Sequence, residues 1–215
     1  MKKQLALLFG CLMFLGSSYA QTMEEALKNT FIEFENDSTF GDKLDAGNRF
    51  GLIASKWNDE WITQYYAAYS KTILSYLEKD ENKKDVYLDQ ADKYLENIKV
   101  LLKTENDEVY MLAAMIANAR IAVKPGSRWK KYGDIFDENI AKAKNLQPNN
   151  PRICYLQGMS KYHTPKMFGG GAKNALTFFE KANELYKNES SNDILKPYWG
   201  KKQNSDMLVQ CKKEE

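Results

Sequence analysis

From residue 22 to residue 212, apolar side chains return at three- and four-residue intervals, the spacing that lines one face of an α-helix. The pattern predicts helices at 22–35, 42–56, 58–79, 84–103, 106–123, 128–146, 150–163, 170–187 and 198–212. Its interruptions carry turn chemistry: Asp80-Glu81-Asn82, Thr104-Glu105-Asn106, Lys124-Pro125-Gly126-Ser127, Pro148-Asn149-Asn150-Pro151 and Phe168-Gly169-Gly170-Gly171. Each link is short, so consecutive helices are expected to pack as antiparallel hairpins. The expected fold class is all-α.

The pattern also repeats. Tyr65, Tyr110 and Tyr155 are spaced by 45 and 45, and three residues beyond each stands a small residue, Ala68, Ala113 and Gly158. In the second helix of each pair, Leu95, Ile98 and Leu101 correspond to Ile140, Ala143 and Leu146 after 45 residues, and to Phe179, Ala182 and Leu185 after a further 39. A small residue in mid-helix lets its partner helix approach closely. An apolar stripe at i, i+3 and i+6 serves both its own hairpin and the next, so neighbouring hairpins must stack to bury it.

These units resemble tetratricopeptide repeats. Ile140, Ala143 and Pro148 match the apolar, small and closing-proline positions of that motif, and Gly158 follows at its small first-helix position. Ala175, Phe179 and Ala182 reproduce the spacing Ala-x3-Phe-x2-Ala. The likeness covers 58 to 187 in architecture and 136 to 187 in motif. The periods exceed the family's usual period of about 34 residues, and the motif's Trp is absent. The whole layout is similar to exported helical-repeat proteins of Gram-negative bacteria. The resemblance implies an α-solenoid of about three antiparallel hairpins (58–103, 106–146, 150–187). An N-terminal helix pair precedes them, and Pro197-Tyr198-Trp199-Gly200 leads into a closing helix at 198–212. In that family the first helix of each pair lines the concave face. Carried over, the register places Tyr65, Tyr69, Tyr110, Asn118, Arg152, Tyr155, Met159 and Tyr162 on a partner-binding groove.

Composition agrees with helices: of 215 residues 43% are apolar, with 12 Gly and 5 Pro. The first twenty residues read as a secretory leader, with Lys2 and Lys3 before an apolar run from Leu5 to Leu15, and Ser18-Tyr19-Ala20 placing the cut before Gln21. Leu8-Phe9-Gly10-Cys11 loosely resembles a lipid-attachment site, but such a cut would split the apolar run, which continues through Leu15. Mature residues 21–215 form the single helical domain. Cleavage removes two of the 31 basic residues, leaving 29 against 29 acidic ones. An evenly mixed, neutral chain has no electrostatic footprint for nucleic acid, and no other apolar run approaches membrane-spanning length. The expected location is the periplasm. Cys154 and Cys211 remain after cleavage, and an oxidising exterior permits a disulfide between them; the favoured alternative is a buried Cys154 and a loosely held Cys211 near the terminus, since sequence alone brings no two Cα atoms within about 6 Å.

Catalytic chemistry finds little in the chain. His163 is the single histidine, and Cys154 is its one possible nucleophilic companion, without the sequence context of a cysteine protease. One His and two separated Cys make no zinc spacing, and the acidic residues form no calcium loop. Phe168 to Lys173 has glycines before a helix but lacks the Gly-Lys-Ser/Thr and preceding strand of a phosphate loop, so it reads as a wide turn. No cofactor is expected and the protein is not expected to be an enzyme. Aromatic residues are the excess: Trp61, Tyr65 and Tyr69 form one stripe on the helix from 58, and Ile62, Tyr66, Ile73 and Leu77 another. Rigid aromatics with a polar tip suit contact surfaces, and they also suit interhelix packing. The functional expectation is a periplasmic scaffold that holds a protein or peptide segment, or a ligand, in its concave groove. Two rivals are an accessory structural subunit of an envelope complex, and a hydrolase-type enzyme with paired groove carboxylates about 5–10 Å apart.

Overall fold

A computed structural model describes residues 21–190 and 193–214. The expected leader and Cys11 lie outside the described residues. Among the described residues nine α-helices follow one another: α1 (Met23–Asn36), α2 (Phe40–Lys56), α3 (Trp61–Leu77), α4 (Glu81–Leu101), α5 (Asp107–Val123), α6 (Pro125–Leu146), α7 (Pro151–His163), α8 (Ala172–Tyr186) and α9 (Lys201–Lys213), with a 3-10 turn at Lys166–Phe168 between α7 and α8. No strand occurs among the described residues. The all-α class is as expected.

Local chemistry sets the boundaries. Thr22 closes a capping box with Glu25 at the start of α1. The side chains of Asp80, Asn106 and Asn150 accept from backbone N–H groups in the first turns of α4, α5 and α7. Helix α6 starts at Pro125, three residues earlier than the apolar pattern suggests. A proline in the first helical position has no N–H to lose and a preset φ, so the turn-forming Pro125-Gly126 becomes the helix start instead of preceding it.

Helices α3, α5 and α7 touch one another in series and α1 touches α3, forming an inner layer. Each of α4, α6 and α8 packs on the helix before it, forming an outer layer, and α9 packs on α8. Helix α3 is buried on nearly every side, which explains its two aromatic stripes. They serve different contacts. Tyr66 stacks on Phe50 of α2 with centroids 5.7 Å apart and meets Phe31 of α1, whereas Tyr69 stacks on Trp199.

The second-helix register holds at two of its three positions: Leu95, Ile140 and Phe179 are buried, as are Ile98, Ala143 and Ala182, whereas Leu101 and Leu185 are only partly buried and Leu146 is exposed at the helix end. Ala91, Phe136 and Ala175 extend the same match. The first-helix register needs a correction of one residue in α5. Helices α3, α5 and α7 begin at 61, 107 and 151, so their spacings are 46 and 44. Ala68, Ala114 and Gly158 are the equivalent buried small residues, and Ala113 is partly exposed. Tyr65, Met111 and Tyr155 are likewise equivalent and buried, and Tyr110 is not of this set. One residue is about 100° of helix rotation, so Tyr110 points to a different side of the solenoid.

Between α7 and α8 the approach is close. A β-carbon on Gly158 would stand 2.6 Å from the ring of Phe179, whose side chain is fully buried. The outer ends of α4, α5 and α6 are joined by charge. Arg120 of α5 donates to Asp85, Asp89 and Asp92 of α4 at 2.9, 2.6 and 2.6 Å, and Arg128 of α6 donates to both oxygens of Asp85 at 2.7 Å.

Candidate functional site

The inner face is where the register leads one to look for a groove, and much of it is covered by the chain itself. The described parts of the connector between α8 and α9 pack on it at Glu189 and at Tyr198-Trp199, and the Trp199 indole N–H donates to the Tyr65 hydroxyl at 2.7 Å. The Trp199 ring stacks on Tyr69 and meets Tyr155 edge-on. Its carbonyl accepts from Arg152 at 3.3 Å and from the Tyr186 hydroxyl at 3.2 Å. Tyr198 packs edge-on against Phe31 of α1, with centroids 4.9 Å apart. Tyr65, Tyr69, Tyr155 and Arg152 are therefore core residues beneath the connector, which corrects the expectation that these side chains line an open groove. Burial pushes the phenol pKa of Tyr65 and of Tyr69 well above its ordinary value, and the neighbouring Glu108 and Glu35 add to it.

Arg152 is the fastening point. Its guanidinium donates to both oxygens of Glu108 on α5, at 2.6–3.0 Å, and pairs with Glu189 of the connector at 2.6 Å. Glu108 also accepts from the Asn150 amide at 2.6 Å. Burial lifts the Glu108 carboxyl above the usual carboxylate range, and Arg152 opposes that rise. A cavity of about 580 Å³ opens beside this cluster, lined among others by Trp61, Glu108, Asn150, Glu189 and Leu195. Of the three carboxylates that line the cavity, Glu108 and Glu189 are held by one guanidinium, and Asp107 accepts from the Asn150 amide at 2.8 Å. The cluster ties the connector to α5 and α7.

Beyond Trp199, toward the C-terminal ends of α3, α5 and α7, the inner face is still accessible. Tyr76 of α3 is 40% exposed, yet burial among neighbouring groups pushes its phenol far up, with the Tyr155 phenol contributing. The Tyr76 hydroxyl donates to the Met115 carbonyl of α5 at 3.3 Å. The Tyr155 hydroxyl makes no hydrogen bond among the described residues. Its environment includes Tyr76, Glu35 of α1 and Asp206 of α9. Along α7, Met159 and Tyr162 continue the line of Arg152 and Tyr155 at helical spacing, and both are partly exposed. Helix α9 supplies the facing wall. Its Gln203 donates to Glu35 at 2.7 Å, while Gln210 and Glu214 bond the Tyr162 hydroxyl, each at 2.6 Å. Met207 lies one turn from Gln203 on this same stripe and is partly exposed. Asn118 on α5 is half-buried. Tyr76, Met159, Tyr162 and Met207 are thus at least partly exposed on this stretch of the inner face, next to the buried Tyr155.

Of the eight residues the register singled out, Tyr155, Met159 and Tyr162 share this stretch along one face of α7. Tyr110 is elsewhere. It belongs to a second cleft of about 550 Å³ between α4, α5 and α6, where it bonds Glu105 and carries Lys142 over its ring at 5.5 Å. Trp199, Tyr76 and Met207 are the contributors that sequence reasoning missed. The tail Pro197-Tyr198-Trp199-Gly200 was the available signal, since a tryptophan in a loop needs somewhere to bury itself. Cys154 and Cys211 are both buried and are not joined to each other. Among the described residues no cluster of His, Cys, Asp and Glu could hold a metal ion, and no helix is long and apolar enough to cross a membrane.

No family model matches the chain and no curated protein matches it. Among solved structures, the chain is similar to the HusA haemophore from Porphyromonas gingivalis. The two are 29% identical with a TM-score of 0.72, over 94% of this chain and 96% of that one. The likeness thus runs through the N-terminal pair, the three hairpins and the closing helix alike. The tetratricopeptide resemblance rests on the residues that carry it.

Proposed function

We propose that this protein is an exported carrier of a small, planar and largely apolar ligand of the haem class, held at this stretch of the inner face between α3, α5, α7 and α9. The observation that carries this reading is the near full-length likeness to a haemophore, together with the aromatic and thioether side chains that this stretch of inner face leaves at least partly exposed. Tyr76, Met159, Tyr162 and Met207 offer apolar surface at low ordering cost, and methionine adapts to the outline of a flat ring. The Tyr155 hydroxyl, without a hydrogen-bond partner among the described residues, suits a polar edge of a bound molecule. The connector supports a small ligand over an extended peptide, because it already occupies the length of inner face that a peptide needs. Export to the periplasm or beyond is part of the proposal, supported by the leader-like first twenty residues.

Titration of the purified protein with haemin, followed at the Soret band, tests the reading. Saturable binding at one ligand per chain is expected. Tyr76→Ala and Met159→Asp are expected to weaken it about tenfold, or about 1.4 kcal/mol, with little change in the thermal midpoint. Absence of a saturable signal, or unchanged affinity in both variants, removes this stretch of inner face from consideration. Repeating the titration with iron-free protoporphyrin separates recognition of the ring from recognition of the metal.

A further inference from the structure

One exposed apolar feature has no role on this inner face. The turn between α7 and α8 presents Met167 at 83% and Phe168 at 70% exposure, side by side. Isolated apolar residues on a surface are ordinary, but here the backbone is built to hold them outward. Gly169 and Gly171 have φ of 78° and 92°, a region that side chains rarely adopt. A β-carbon on Gly170 would collide with the Thr164 carbonyl oxygen at 2.0 Å. The N–H groups of Gly170 and Gly171 donate back to the carbonyls of Pro165 and Lys161, so the loop is pinned to the end of α7. The same bonds commit those N–H groups internally, which disposes of the glycine run as an anion cradle.

The surroundings are basic. No Asp or Glu occurs between Glu138 and Glu180. Lys161, Lys166 and Lys173 are exposed around the turn, and α9 ends beside it with exposed Lys212 and Lys213. The Lys166 charge reaches Glu214, and Glu214 is bonded to Tyr162, which places these two ends of the fold together. Five cations thus flank two protruding apolar side chains, against the single described carboxylate of Glu214. The chain as a whole is close to neutral, so this charge is local.

We propose that the Met167–Phe168 turn docks this protein on an anionic lipid surface, the two side chains entering the interfacial layer and the lysines facing acidic headgroups. The charge complementarity selects this occupant: a large aromatic and a flexible thioether at a rigid tip, ringed by lysines, is the arrangement that interfacial anchoring requires. Docking at this turn is independent of what the inner face holds.

Co-sedimentation of the purified protein with vesicles of phosphatidylcholine alone, and of phosphatidylcholine mixed with phosphatidylglycerol, tests it, with the same N-terminus in every variant. Partition onto the mixed vesicles only, weakening with added salt, is expected. The double variant Met167→Ser, Phe168→Ser is expected to lower that partition about tenfold. Both positions are exposed, so the thermal midpoint should not move. Phe168→Trp supplies a direct readout, because its emission should shift to the blue on mixed vesicles and stay unchanged on neutral ones. Failure to partition on anionic vesicles, equal partition by the double variant, or unshifted emission from Phe168→Trp would each overturn the proposal. A tip that captures a protein partner yet ignores lipid overturns it as well.

Discussion

Enlarging the small residues of the inner helices tests both the stacking and its register. In Gly158→Ala the new β-carbon would lie 2.6, 2.8 and 3.0 Å from three atoms of the Phe179 ring. Carbon atoms pack best at about 3.5–4.0 Å, so roughly an ångström of movement is needed. The ring has little freedom to give it. Phe179 is fully buried, lies 6.3 Å from the Tyr155 ring, and its carbonyl accepts from Asn204 of α9. Overpacking of this kind costs about 1–3 kcal/mol, from which about 0.5–1 kcal/mol is offset because alanine is the better helix former. In a chain of this size each kcal/mol lowers the thermal midpoint by about 2–4 °C. Gly158→Ala should therefore lower it by a few degrees and Gly158→Leu by more, measured by circular dichroism. Adding Phe179→Leu should recover part of the Gly158→Ala loss, a coupling that a double-mutant cycle reads directly. Two alanines in α5 make the register itself testable. Ala114→Leu should cost about 1–3 kcal/mol, because Ala114 is fully buried at the position equivalent to Gly158. Ala113→Leu, facing the outer cleft, should stay within about 0.5 kcal/mol. Equal effects of the two, or a midpoint unmoved by Gly158→Leu, would refute the packing argument.

Trp199→Ala should cost about 3–5 kcal/mol in chemical denaturation, since it empties the space between Tyr69 and Tyr155 and leaves the Tyr65 hydroxyl without its indole partner. By contrast Tyr66→Phe should be neutral or slightly stabilising in the same measurement, because the buried Tyr66 hydroxyl has no hydrogen-bond partner among the described residues. Asp85 makes stability depend on acid. Arg128 and Arg120 hold its carboxyl below the ordinary range, so its stabilisation is complete above the unfolded value of about 3.9 and is lost as pH falls through the folded value. The stability difference between the wild type and Asp85→Asn should therefore shrink as pH is lowered past that point, and a constant difference from pH 7 downward would contradict the ion-pair account.

The helices were legible because their ends are written in short-range chemistry. Asp80, Asn106 and Asn150 are capping side chains next to apolar periodicity, and both needed nothing from distant parts of the chain. The second-helix register was legible for a related reason. Phe136, Ile140 and Ala143 sit on a stripe with a polar opposite face, so only one phase buries the apolar set. Helix α5 gives no such phase, because apolar residues surround it on almost every side, and its sequence from Val109 to Val123 carries few polar positions to mark an outer face. The recurrence of a tyrosine after 45 residues then decided a phase that the helix starts at 61, 107 and 151 contradict.

The site was harder to read than the fold for a physical reason that Trp199 makes concrete. A solenoid's inner face is defined by repeats, but what lies on that face is decided by the segment that follows them. Nothing in the periodicity of α3, α5 or α7 records that a connector 134 residues beyond Tyr65 will place an indole N–H on its hydroxyl. Tyr65, Tyr69 and Tyr155 were expected on a groove, where a phenol, which resists burial without a partner, would meet water. The premise holds and the inference from it does not, since Tyr65 finds Trp199 and Tyr69 finds Glu35 at 2.8 Å. Tyr155 is the case the premise does describe. Its ring is buried, its hydroxyl has no hydrogen-bond partner among the described residues, and it lies next to the partly exposed Met159 and Tyr162 on α7. The same reasoning that misplaced the groove at Tyr65 therefore locates the candidate site at Tyr155, once the chain's own occupant is subtracted from the face.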